Sequence, residues 1–266
     1  MAIIQLIVGD SIEIMKGMLG RVSPSFDMIF LDPPYFEWDE QTTKGLKPDH
    51  NILSKLCFQL LKPNGTIFLC GTQPQLAKDW KYWERYFNLN FELVAIKSSG
   101  TPPVSMRRPL PWHENIWCLW KKTDNLKDIK IDIRRVASEG TEVVEKIRER
   151  ITQMRTRYGN SFVKWKEGCN YPKSVVIVPK IDAHNKEYVG HPAQKSLKLM
   201  RIILKMAVEP GDWVLDPFAG AGTTLVVCKE YDINCIGIEI NPEYARMAKK
   251  RLERIEALRR LQEWAK

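Results

Sequence analysis

Short apolar runs recur along the chain between segments whose apolar residues fall three or four apart, the pattern of strands alternating with helices. Residues 3–8 read as a strand ending at Gly9-Asp10, and 11–18 as a short helix with Ser11 as its cap. Residues 26–31 form a second apolar run, stopped by Asp32-Pro33-Pro34. Proline lacks an N–H and fixes its own backbone angle, so two in succession exclude both helix and central strand. Residues 35–47 read as a loop. Helical spacing follows over 49–61 (Ile52, Leu53, Leu56, Leu60), then a turn at Lys62-Pro63-Asn64-Gly65 and a strand over 66–70. A helix is expected over 74–86 and strands over 91–96 and 114–120, with a loop rich in Pro, Ser and Arg at 98–111.

The pattern breaks at 121–185, where one helix (142–157) and one turn-and-strand segment (168–179) are expected. It resumes at Gly190. Residues 192–207 read as a helix with Pro192 in the first turn, 213–215 as a strand, 222–231 as a helix, and 234–238 as a strand ending at Glu239. A last helix starts at Glu243, and its stripe of Tyr244, Ala248, Leu252 and Ile255 reads as core packing. These elements predict an α/β protein with a doubly wound, mostly parallel sheet. One domain is expected from 1–120 and 186–266, with 121–185 a small insertion. The longest apolar stretches, such as 175–178, are strand-sized, so no membrane span is expected. Residues 1–8 lack the basic region of a secretory signal, and a cytoplasmic location is expected.

Charge adds a partner class. The net charge is +9, and 121–185 holds 15 Lys/Arg against 9 Asp/Glu, so most of the excess lies in one quarter of the chain. A local basic surplus suits a polyanion, although a solvated, charge-rich surface has the same composition. Six cysteines form no CxxC pair, and none follows a proline. A zinc site, a redox motif and the nucleophilic Pro-Cys of carbon-methylating enzymes are therefore disfavoured.

Two segments carry chemistry. In the first, Asp216-Pro217-Phe218-Ala219-Gly220-Ala221-Gly222-Thr223-Thr224, a strand enters a glycine turn and a helix leaves it. Such a turn aims backbone N–H groups at an anion. Glu239, 17 residues past Gly222, ends the next strand and can accept hydrogen bonds from ribose hydroxyls. A nicotinamide dinucleotide is one reading, but the third glycine of its fingerprint is absent. S-adenosylmethionine has both a carboxylate for the turn amides and an ammonium for Asp216. In the second, Asp32-Pro33-Pro34-Tyr35, the acid and the Pro33 carbonyl can accept the two hydrogens of an exocyclic amine while Tyr35 stacks on the base. That localises the nitrogen lone pair toward a sulfonium methyl by positioning and electrostatics, without a metal. A base within a duplex must first be rotated out. Phe36 and Trp38 can line the same pocket, or the core.

These residues resemble the beta group of DNA amino-methyltransferases, of restriction–modification type, in which the catalytic motif precedes the cofactor motif. The resemblance implies the circularly ordered methyltransferase fold, with S-adenosyl-L-methionine as cofactor and 121–185 as the target-recognition region. It implies cofactor contacts at Asp10, His191, Lys195, Ser196, Asp216, Phe218, Ala219, Gly220, Gly222, Thr223, Thr224 and Glu239. Catalysis would rest on Asp32, Pro33, Pro34 and Tyr35, and His113-Glu114 matches a later motif of the catalytic region. Arg134, Arg135, Arg155, Arg157, Lys164 and Lys166 would contact DNA phosphates or base edges, with Arg107 and Arg108 on the backbone near the target. Asp at the head of the catalytic motif favours adenine N6, the alternative being cytosine N4 or a DNA-binding relative without activity. Double-stranded DNA is the implied partner. A homodimer and a cognate restriction endonuclease are further partners of such enzymes.

Overall fold

The computed structural model describes residues 2–21, 25–34, 48–98, 112–136 and 173–264. In chain order the elements are β1 (Ile4–Val8), α1 (Ser11–Met18), β2 (Phe26–Leu31), α2 (His50–Leu60), β3 (Leu61–Gly71), α3 (Gln73–Trp83), β4 (Phe87–Lys97) and β5 (His113–Lys121). There follow β6 (Val175–Val178), α4 (Leu197–Ala207), β7 (Trp213–Asp216), α5 (Thr223–Glu230), β8 (Asn234–Glu239) and α6 (Pro242–Trp264). The strands form one sheet in the order β1-β8-β7-β2-β3-β5-β4-β6. Only β5 runs antiparallel to its neighbours among these strands, and every other described pair is parallel.

Burial on both faces explains why the central strands read as unbroken apolar runs. All six residues of β2 are buried. Met28 and Phe30 face one way, into a core shared with α4 and α5, while Ile29 and Leu31 face the other, toward α1, α2 and α3. From β7 the chain winds outward to β8, and from β2 it winds the opposite way to β3. The winding therefore reverses between two adjacent strands, and ligands bind at the carboxyl ends of strands at such a point. Those two ends carry Asp216 and Asp32.

Several expectations are corrected. Asp10, not Ser11, caps α1, its Oδ1 accepting from the Glu13 N–H at 3.0 Å. The expected turn at 62–65 is an irregular stretch of β3: Phe26 stands opposite Leu61 but Met28 opposite Thr66, and Asn64 takes a left-handed φ of 62°. Helix α4 begins at Leu197 rather than 192, with Ser196 as its cap accepting from the Lys198 N–H at 3.1 Å. The described flanks of the region expected to stand apart, 121–136 and 173–185, pack on the main body. Val136, Val176 and Val178 are core residues, and β6 extends the sheet beyond β4. Residues 137–172, with the expected helix 142–157 and the loops 35–47 and 99–111, lie outside the described residues.

Candidate active site

The site begins at the glycine turn after β7. Gly220 and Gly222 have φ of 49° and 74°, left-handed angles that favour glycine. Space is short as well: a Cβ on Gly222 would lie 2.6 Å from that of Ala248, and one on Gly220 would lie 3.0 Å from His191 Nε2. Ala219 is held by its N–H to the Ile238 carbonyl at 2.8 Å. Asp216, 2 % exposed, accepts from the Phe218 N–H at 3.1 Å and from the Thr224 hydroxyl. Burial, with the nearby negative charges of Asp32 and Glu239, raises its pKa to about 7. Glu239, at the end of β8, accepts from the Gly220 N–H at 2.7 Å and the Asn241 N–H at 2.8 Å, and burial raises its pKa despite those bonds. Asp10 is exposed at the end of β1, where the Gly9 N–H donates to the Glu239 carbonyl at 3.0 Å.

The 191–196 segment packs across this turn. His191 stands edge-on to Tyr244 with ring centroids 4.2 Å apart. Its Nδ1 accepts from the Ala193 N–H at 3.2 Å, which assigns the proton to Nε2, the nitrogen facing Gly220. Burial, helped by Lys195 and Arg251, lowers its pKa to about 4, so the ring is neutral at pH 7. The Thr223 hydroxyl donates to the Lys195 carbonyl at 3.1 Å. Arg251 of α6 grips the turn from below, with Nη1 2.8 Å from the Ala221 carbonyl and 3.0 Å from Thr223 Oγ1. Arg251 was missed in the sequence, although it stands beside the stripe read as packing, three residues after Ala248 and next to Leu252.

At the end of β2 the Lys195 ammonium lies 2.6 Å from Asp32 Oδ2 and 3.4 Å from Glu114 Oε2. Lys97 lies 2.7 Å from the other oxygen of Glu114. Burial alone would push the Glu114 carboxyl up, but the two lysines outweigh it and lower its pKa to about 2. Likewise burial would discharge Lys195, and Asp32 and Glu114 hold it in the charged form.

The structure thus brings together Asp32, Pro33, Pro34, His191, Lys195, Ser196, Asp216, Phe218, Ala219, Gly220, Gly222, Thr223, Thr224 and Glu239, with Asp10 beside them. It does not bring Arg134 and Arg135 there. They lie near the amino ends of the strands, Arg134 in a two-pronged pair with Asp132 at 2.8 Å through both Nε and Nη2, and Arg135 paired with Glu209. Both therefore meet carboxylates of this chain, away from the strand ends that bear Asp32 and Asp216. Tyr35, Phe36, Trp38, Arg107, Arg108, Arg155, Arg157, Lys164 and Lys166 lie outside the described residues.

This architecture is that of a methyltransferase that uses a nucleoside sulfonium cofactor. A family model described as DNA methylase matches residues 26–250. The chain belongs to that family, the DNA amino-methyltransferases of restriction–modification type, and acts as a DNA methyltransferase dependent on S-adenosylmethionine. It is 43% identical over 261 residues to the DNA adenine methyltransferase YhdJ of Escherichia coli K12, covering 93% of this chain and 82% of that one. It is 30% identical to the type II methyltransferase M.HpaI of Haemophilus parainfluenzae, over 94% of this chain and 74% of that one. The crystal structure of an M1.HpyAVI–SAM complex shares the fold, with a TM-score of 0.66 at 24% identity and coverage of 94% and 99%. The residues present fit the cofactor: the acidic surroundings of Asp216 suit an ammonium, and the Glu239 carboxylate at the end of β8 suits a ribose.

Proposed function

We propose that this protein methylates the N6 amine of adenine in duplex DNA, on a base rotated out of the helix. One observation carries the reading. Asp32, an acid rather than a hydroxyl residue at the head of Asp32-Pro33-Pro34-Tyr35, projects from the carboxyl end of β2 directly beside the β7 end that bears the cofactor turn. The bound cofactor supplies a methyl group made electrophilic by its sulfonium. The chain supplies the rest. Asp32 accepts one amine hydrogen and the Pro33 carbonyl the other, which turns the nitrogen lone pair out of conjugation. As the nitrogen takes the methyl and gains positive charge, the carboxylate stabilises it without reorganising, and the amine then sheds the hydrogen facing Asp32 as a proton to leave the neutral methylated amine. Pro34 fixes the carbonyl direction because its ring restricts the backbone, and Tyr35 stacks on the base.

Arg107, Arg108, Arg134, Arg135, Arg155, Arg157, Lys164 and Lys166 remain the proposed DNA contacts, and 121–185 the recognition region. The identity to a protein named as a DNA adenine methyltransferase supports the choice of base. A cytoplasmic homodimer paired with a cognate endonuclease belongs to the same reading. The test is incubation with mixed-sequence duplex DNA and methyl-labelled S-adenosylmethionine, then digestion to nucleosides. Label in N6-methyldeoxyadenosine is expected. Label in N4-methyldeoxycytidine would keep the mechanism and overturn the base.

A further inference from the structure

We propose that Lys195 is the positioning residue for Asp32, and that through it the cofactor turn and the catalytic strand are held as one unit. The inference rests on the placement of Asp32 proposed above. Lys195 and Asp32 are 163 positions apart in the chain, yet their charged ends meet at 2.6 Å with Lys195 only 8% exposed. The lysine is itself braced. Glu114 on β5 holds the ammonium from a second side, and Lys97 on β4 holds Glu114. The backbone of the same residue reaches the other half of the site, its carbonyl receiving the hydroxyl of Thr223, the first residue of α5 after the glycine turn. Arg251 fixes that hydroxyl in turn. One residue therefore touches the catalytic acid with its side chain and the cofactor turn with its main chain.

Charge explains why the acid needs such a partner. Asp32 shares its surroundings with Asp216, and Glu239 lies nearby. With no cation between them, like charges at this range would turn the Asp32 carboxylate away from its neighbours. An ion pair buried this deeply contributes little net stability, because desolvation offsets attraction. Its value is geometric: a carboxylate fixed at Oδ2 presents Oδ1 in a set direction to the incoming amine. Displacement of a reacting group by about 1 Å can cost on the order of 100-fold in rate. The side chain of Lys195 thus serves the acid, and its main chain serves the cofactor turn.

The experiment compares Lys195→Met, Lys97→Met and Asp32→Ala with the parent in single-turnover methylation at saturating cofactor, alongside cofactor Kd and Tm. Lys195→Met should lower the rate about 100-fold with cofactor Kd unchanged. Lys97→Met removes only the outer brace on a partly exposed side chain and should fold normally, with a rate reduced about threefold to tenfold and Kd again unchanged. A weakened Kd with full rate at saturation in Lys195→Met would show that the lysine serves the cofactor and would overturn the inference. Should Lys195→Met not fold, a full rate in folded Lys97→Met would overturn it equally. If Asp32→Ala itself retained its rate, the proposed function would fail, whereas a dead Asp32→Ala beside a fully active Lys195→Met would sink the positioning role alone.

Discussion

Strands β2 and β7 each carry an aspartate at both ends, and the two ends treat the same residue differently. At the amino ends, Asp27 accepts from Lys62 at 2.8 Å and from the Trp213 N–H at 2.9 Å, and Lys130 bridges it to Asp212. Burial pushes the Asp27 carboxyl up, but these cations and the amide outweigh it and leave it below its usual value. At the carboxyl ends, about 16 Å away along β2 at about 3.3 Å per residue, Asp32 has Lys195, while Asp216 stands between Asp32 and Glu239 with its pKa raised. The first pair of aspartates is neutralised by the fold and fastens the sheet to the 126–136 segment. The second pair carries negative charge that a cationic cofactor would match.

The sharpest way to break this contrast is to remove each acid in turn. Asp32→Ala should cut single-turnover methylation by about 1,000-fold or more while cofactor Kd holds, as expected for a group acting only at the reacting nitrogen. A rate within tenfold of the parent would place the chemistry elsewhere. Asp216→Asn should instead weaken cofactor binding about 100-fold, read by calorimetry. It should also raise Tm without cofactor at pH 8. A carboxyl whose folded pKa lies above its unfolded value costs stability as pH rises past the unfolded value, and for Asp216 that cost is complete above about 7. An unchanged or lower Tm in Asp216→Asn would contradict the raised pKa.

The same shift predicts a proton linkage. An ammonium bound to the ionised acid requires affinity to fall by up to about tenfold per unit as pH drops below about 7, and to fall again above about 8 as the ammonium itself loses its proton. Titrations in buffers of different ionisation enthalpy would reveal the released proton, and a flat profile from pH 6 to 8 would exclude Asp216 as the ammonium ligand. The smallest effect belongs to the other end of the strand. Asp27→Asn should lower stability by about 1–3 kcal/mol, because Lys130 and Lys62 lose a partner, and leave cofactor Kd unchanged. A methylation defect in folded Asp27→Asn would erase the distinction between the two ends.

Much of this arrangement was legible because it is local. Apolar runs bounded by Asp-Pro-Pro or by glycine turns mark strands whose ends hold ligands, and Asp32, Asp216, Gly220 and Glu239 all emerged from that reading. The errors are local propensities overridden by distant contacts. Pro192 suits a first helical turn, but the segment is held in another conformation by Gln194, whose amide bonds the Glu187 carbonyl, and by Thr223 on the Lys195 carbonyl. Lys62-Pro63-Asn64-Gly65 has turn chemistry, yet Lys130 donates its N–H to the Asn64 carbonyl and the stretch continues the strand. No spacing rule links Lys195 to Asp32.

The pairing of β1 with β8 bears on how the protein is made. Ile4–Val8 can complete no ladder until Asn234–Glu239 has been synthesised, a separation of 231 residues at the Ile3–Asn234 bond. Contacts so remote in sequence are slow to form, and their strands stay exposed meanwhile. The half of the sheet bearing Asp32 can assemble from the strands already emerged, whereas Glu239 and the helix that carries Arg251 arrive after it. On the proposed reading, the elements that would hold the methyl donor are complete only once β8 and α6 have been synthesised, and a nascent chain interrupted before β8 has the strand bearing Asp32 without them.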